Sequence, residues 1–217
     1  MLEGYKRQVV RYAQQAEREG LCRHRSGNFS VRDKETGYIV ITPTGMDRAE
    51  MLPEDVVVID MQGRVVEALT GKKPTSESMM HIAVYKARPD IGAIVHTHSK
   101  NATAFAVMNK PIPAIVYELF LLGCKKGYIP VAPYGRPGTK ELAQSVLKPL
   151  EISDVALMQA HGVIAVAKDL KEALLRASYV EELAEIYYKT LTVLGHEPDV
   201  VPVEELANWK YPSSLSI

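Results

Sequence analysis

Apolar positions recur at helical spacing over residues 3–19, where Tyr5, Val9, Tyr12, Ala13 and Ala16 fall on one face and Gly20 supplies the stop. The period then changes to two. Phe29 and Val31 begin a short alternating strand, and Tyr38-Ile-Val-Ile-Thr42 reads as a second. Asp55-Val-Val-Val-Ile-Asp60 and Arg64-Val-Val-Glu67 predict a hairpin around Met61-Gln62-Gly63, which requires antiparallel pairing. Met79, Met80, Ile82, Ala83 and Tyr85 predict a helix that opens at Pro74-Thr-Ser-Glu-Ser78 and ends at Arg88-Pro89.

Gly92-Ala-Ile-Val-His96 reads as a buried strand, and Ser99 as the N-cap of a helix through Met108. A short apolar segment ends near Gly123. Residues 127–133 predict a strand, 138–150 a helix and 155–159 a strand. A tight turn at Ala160-His161-Gly162 leads into the strand Val163-Ile-Ala-Val-Ala167. Asp169 and Glu172 have capping-box spacing and open a long helix stopped by Gly195. The tail, residues 196–217, carries Trp209 and Tyr211 and reads as a docking segment. With no repeat and no linker, the 217 residues are expected to form a single domain, α/β in class.

Composition narrows the function classes. Lys+Arg and Asp+Glu both number 26, so net charge argues for neither a nucleic-acid nor a membrane-surface partner. Cys22 and Cys124 stand far apart, which argues against a disulfide framework. The first residues are charged rather than leader-like, and no apolar run is long enough to span a bilayer. A soluble protein of a reducing cytoplasm is expected, either an enzyme or a small-ligand binder.

The chemistry centres on His96-Thr97-His98. Residues two apart on a strand share a face, so two imidazoles can converge on one metal ion; the alternative is a strand end turned outward with both rings solvated. His161, at a tip between apolar strands, is the natural third arm. Three histidines leave one position open, the pattern of a catalytic rather than a structural zinc site. His24, His81 and His196 each read as surface or packing residues, though His81 lies one helical turn beyond Glu77. Three turns rich in hydroxyls and glycine, Ser26-Gly27-Asn28, Thr44-Gly45 and Thr75-Ser76, are individually ordinary; together they can cradle a phosphate. Glu77 alone is explained by helix-start chemistry. The common zinc-hydrolase motifs and the Walker loop are absent.

In this order, Ser26-Gly-Asn28-x-Ser30, Thr42-Pro-Thr44-Gly45, Pro74-Thr-Ser-Glu77, His96-Thr-His98 and His161-Gly162 resemble the class II, zinc-dependent aldolase family of L-fuculose-1-phosphate aldolase and L-ribulose-5-phosphate 4-epimerase. The similarity runs from about residue 5 to residue 195. It implies a mainly antiparallel sheet flanked by helices, and a homotetramer with active sites at subunit interfaces. It makes His96, His98 and His161 the ligands of one Zn2+ (or another divalent metal) per subunit, and Glu77 the acid/base. Ser26, Gly27, Asn28, Thr44, Gly45, Thr75 and Ser76 would hold substrate phosphate. Tyr117 would act in a neighbouring subunit's site.

The implied reaction is cleavage of a ketose 1-phosphate, such as L-fuculose 1-phosphate, to dihydroxyacetone phosphate and an aldehyde through a metal-stabilised enediolate. Tyr117 would take the hydroxyl proton of the departing aldehyde, and Glu77 would protonate the enediolate. Relatives with epimerase activity carry Asp in place of Glu77, which ranks aldolase above epimerase. Methylthioribulose-1-phosphate dehydratase shares the metal, Glu and phosphate motifs and is the alternative. A catalytically silent scaffold of the same fold is the non-enzyme alternative.

Overall fold

The computed structural model describes residues 1–208; Trp209 and Tyr211 lie outside the described residues. Helix α1 (Glu3–Arg18) is followed by β1 (Asn28–Arg32), β2 (Ile39–Ile41), β3 (Val57–Ile59) and β4 (Val65–Glu67). Next come α2 (Ser78–Ala87), β5 (Ala93–Thr97), α3 (Lys100–Val107) and β6 (Ile112–Pro113). A 3-10 turn (Tyr117–Leu122) precedes β7 (Tyr128–Ile129), β8 (Val131–Ala132), α4 (Lys140–Ser145) and α5 (Pro149–Ile152). The chain closes with β9 (Val155–Met158), β10 (Gly162–Ala167), α6 (Leu170–Leu194) and α7 (Val203–Asn208).

Eight strands form one sheet in the order β4-β3-β2-β1-β5-β10-β9-β8, antiparallel except for β8 against β9. Strand alternation sends side chains into two separate cores. Phe29, Val31, Val95 and Ala165 pack beneath α1, α3 and α6 on one face. Ile41, Ile94, Ile164 and Val166 meet Met80, Val84 and Leu142 from α2 and α4 on the other. Both faces are therefore covered, and the sheet, flanked by helices in a single α/β domain, has the predicted layout. No helix among the described residues is long and apolar enough to cross a membrane.

Several element boundaries differ from expectation for local reasons. The strand foreseen over residues 127–133 breaks at Pro130, which cannot donate to a ladder; β7 pairs with β6, and β8 pairs with β9. The helix foreseen over 138–150 divides into α4 and α5 before Pro149. Ser99 occupies the N-cap of α3 without a side-chain cap bond. The Glu181 carboxylate, reaching from α6, accepts from the backbone N–H groups of Asn101 and Ala102 at 3.0 and 2.9 Å instead. Asp169 caps α6 by accepting from Glu172 N–H at 2.9 Å, while the Glu172 side chain pairs with Arg176 rather than returning to Asp169. The tail docks as far as it is described: Val201 N–H donates to Ala114 O, and Leu206 is buried.

Candidate active site

Register builds the site. Asn28 pairs with His96 across β1 and β5, and His96 pairs with Ile164 across β5 and β10. These contacts bring the start of β1, the end of β5 and the β9–β10 turn to one end of the sheet. His96 points to the face covered by α2, and Ala160, with φ of 55°, bends the turn that carries His161. The rings of His96, His98 and His161 have centroids 4.8, 4.8 and 5.0 Å apart and stand edge-to-face. Their candidate ligand atoms all lie within 4.8 Å of one another.

Glu77 holds the N-cap position of α2 but makes no capping bond. Its carboxylate turns inward instead. Oε2 accepts from Asn28 Nδ2 at 2.7 Å and lies 3.3 Å from His96 Nε2, while Oε1 lies 3.4 Å from His161 Nε2. The helix-start explanation of this residue is thus superseded by contacts between elements.

These residues fit a divalent cation. His96 Nδ1 donates to Val163 O at 2.8 Å, which aims Nε2 at the other two rings. His96 Nε2 and His98 Nε2 are 2.9 Å apart, and Glu77 Oε1 and His161 Nδ1 are buried without a hydrogen-bond partner among the described residues. Imidazole nitrogens with an adjacent carboxylate are the donors zinc favours. Electrostatics agree. Burial pushes His98 down to about 3 and His161 down to about 4, with the charge of His96 adding to both shifts. Burial also opposes charge on His96, yet Glu77 overrides it and raises that ring. For Glu77 burial acts upward, but His96, His161 and Asn28 together hold the carboxyl well below its ordinary range. The cluster favours positive charge between the rings and a carboxylate beside it.

The three turns meet His98 and His161 in one cleft of about 180 Å³. Every residue assigned to phosphate lines it, together with Glu77, His98 and His161. Not every amide there is open. Ser26, Thr44 and Thr75 spend their N–H groups on Arg23, Lys73 and Thr42 carbonyls. The N–H groups of Gly27, Gly45 and Ser76 make no bond among the described residues, and they form the open donor set. A Cβ on Gly27 would come within 2.6 Å of both Cys22 Sγ and His96 O, and its φ is 74°, so only glycine fits between the turn and β5.

Two further contributors carried no signal in the sequence pattern, and a third only a faint one. Arg48 is 2% exposed and donates Nη2 to the carbonyls of Ser26 and Gly27, bracing the first turn from behind. Arg25 is the one cation lining the cleft among the described residues. His81 binds Asn28 and Ser30 through its two ring nitrogens; its spacing from Glu77 was the only hint. Tyr117, by contrast, is 52% exposed, stacks on Phe120 and does not line the cleft of its own chain.

The family described as Class II Aldolase and Adducin N-terminal domain matches residues 7–188. The chain is 35% identical over 208 residues to 5-deoxy-D-ribulose 1-phosphate aldolase of Bacillus thuringiensis serovar kurstaki, spanning 96% of this chain and 94% of that protein. It is 39% identical over 201 residues to L-fuculose phosphate aldolase of Escherichia coli, spanning 93% and 90%. A solved structure of L-fuculose 1-phosphate aldolase superposes with a TM-score of 0.88 at 36% identity, covering 94% of this chain and 93% of that one.

Proposed function

From its membership of the class II aldolase and adducin N-terminal domain family, we propose that this chain is a zinc-dependent aldolase that cleaves a ketose 1-phosphate to dihydroxyacetone phosphate and an aldehyde. One observation carries the reading. His98, His161, the Glu77 carboxylate and the open N–H groups of three turns line a single cleft, and His96 completes the imidazole cluster from beneath it.

His96, His98 and His161 would hold the zinc, which would supply Lewis acidity for stabilising the developing negative charge. The chain's own residues do the rest. Gly27, Gly45 and Ser76 donate N–H groups to the phosphate, and the hydroxyls of Thr44 and Ser76 flank it. Asn28, committed to Glu77 through Nδ2, has one remaining amide hydrogen to offer. Binding energy from the phosphate end fixes the reacting carbons. Glu77, a carboxylate in this setting, takes a proton from dihydroxyacetone phosphate in condensation and, by reversibility, returns it to the enediolate in cleavage. Tyr117 serves a neighbouring copy's site in a homotetramer; its exposure and its absence from the cleft of its own chain support that role.

The test supplies zinc-loaded and EDTA-treated protein with L-fuculose 1-phosphate and 5-deoxyribulose 1-phosphate, coupled to detection of dihydroxyacetone phosphate. Release that depends on the metal is expected. Release unaffected by chelation removes the metal from the reaction, and loss of water from methylthioribulose 1-phosphate without cleavage moves the chain to a dehydratase. Glu77→Gln should keep fold and metal and lose about 10²–10⁴-fold in kcat. Near-normal turnover would remove Glu77 as the acid/base.

A further inference from the structure

Behind the cleft, a line of buried polar groups runs away from Glu77 into the space between α2 and the sheet. Asn28 Nδ2 lies 2.7 Å from Glu77 Oε2, and Asn28 Oδ1 lies 2.6 Å from His81 Nε2. His81 Nδ1 lies 2.7 Å from Ser30 Oγ, which lies 2.9 Å from Tyr85 OH. His81, Ser30 and Tyr85 are at most 1% exposed, so no solvent takes the place of a missing partner.

Chemistry sets the direction of every link. A carboxylate only accepts, so Asn28 presents its NH2 to Glu77 and its carbonyl oxygen to His81. That oxygen only accepts, so His81 carries its proton on Nε2. Burial holds the ring down to about 3, which leaves Nδ1 bare, and the Ser30 hydroxyl donates to it. With its own proton spent on His81, the Ser30 oxygen accepts from the Tyr85 hydroxyl at 2.9 Å, a closer acceptor than Gly92 O at 3.5 Å. All four bonds point toward Glu77, and both nitrogens of His81 are engaged, which leaves neither for a metal.

We infer that His81 is a positioning residue: the Nε2 proton it donates to Asn28 fixes the side-chain amide so that Asn28 gives N–H, not oxygen, to the Glu77 carboxylate. Without that donor only the Glu77 carboxylate opposes rotation of the Asn28 amide, whose oxygen is left buried without a partner and whose N–H is no longer held at 2.7 Å from Oε2. The cost falls on the proton-transfer step, because Glu77 loses both its place and its hydrogen bond. A merely structural histidine would affect stability without separating this step from the others. The inference rests on the aldolase reading for its catalytic consequence, though its hydrogen-bond pattern does not.

Zinc-loaded wild type is compared with His81→Phe, which fills the space without a donor, and His81→Gln, which keeps an N–H at the distal position. Three readouts are taken: bound zinc, kcat and KM for cleavage, and deuterium exchange into dihydroxyacetone phosphate, which reads proton transfer alone. The expected result for His81→Phe is retained zinc, a KM raised by no more than a few-fold through the Asn28 amide that also faces the phosphate, and a loss of about 10–100-fold in kcat and exchange, largely restored in His81→Gln. Wild-type exchange in His81→Phe at full zinc content overturns the inference. Should the variants fail to fold, ¹⁵N-histidine spectra of the wild type decide. A pyrrole-type Nε2 with a pyridine-type Nδ1 is expected, and the reverse tautomer overturns it. A wild type silent toward every ketose 1-phosphate would defeat the aldolase reading instead. The Asn28 side-chain amide signals then decide for His81: unchanged shift and exchange protection in His81→Phe overturns the inference, and loss of both supports it.

Discussion

Replacing Gly27 by Ala perturbs the site from its most crowded point. The new methyl would stand 2.6 Å from Cys22 Sγ and 2.6 Å from the His96 carbonyl oxygen, on a residue whose φ is 74°. Holding an L-residue in the left-handed region costs about 1–2 kcal/mol. Forcing a methyl into a filled space adds about 1–3 kcal/mol. The sum, about 2–5 kcal/mol, corresponds to a fall in Tm of about 4–20 °C for a chain of this length. The sulfur can rotate aside, whereas the carbonyl belongs to β5 and moves only with the peptide that follows the His96 ring. The variant should therefore also bind zinc about tenfold more weakly. Calorimetry with chelated and zinc-saturated protein, beside a competitive zinc titration, measures both effects. Adding Cys22→Ala relieves one contact and should recover only part of the loss, because the backbone contact remains. A Gly27→Ala protein whose Tm and zinc affinity both match wild type would refute the reasoning.

Other expectations are simpler. His98→Ala should lower bound zinc below one equivalent, read by elemental analysis after gel filtration; unchanged metal content sinks its assignment as a ligand. Glu181→Ala should lower stability by about 1–2 kcal/mol and raise amide exchange at Asn101 and Ala102, since their N–H groups lose their cap. Unaltered exchange there would show that the cap is dispensable. Burial pushes the thiols of Cys22 and Cys124 up to about 12. Both thus stay protonated through pH 8 and should resist thiol reagents until denaturant is added; rapid labelling of native protein would contradict the burial.

Legibility in the sequence followed the range of the interactions. The α1 stripe, the His96–His98 pair and the paired cap and stop of α6 are local periodicities, and they stand in the structure close to where the pattern puts them. The resemblance supplied the grouping of Glu77 with three distant turns; no spacing along the chain states that Thr44 and Ser76 share a cleft. Arg48 and Glu181 were invisible because each acts through backbone groups of another element, and backbone groups leave no mark in a sequence. Glu77 shows the converse case. A local rule explains it fully as a helix-start residue, yet tertiary partners claim its carboxylate. The broken strand at Pro130 and the divided helix at Pro149 were written in plain view, as prolines whose missing N–H outweighed the apolar pattern around them.

The sheet order has a consequence for the newly made chain. Asn28, His96 and Ile164 lie side by side, though they come from the beginning, middle and later part of the sequence. A nascent chain can pair β5 with β1 early, but β5 keeps an open edge until β10 has been synthesised and folded back. His161 arrives in the same event, one residue ahead of β10. The ordering therefore delays a complete set of three histidines until that edge closes, and the same step that removes an aggregation-prone edge completes the candidate metal site.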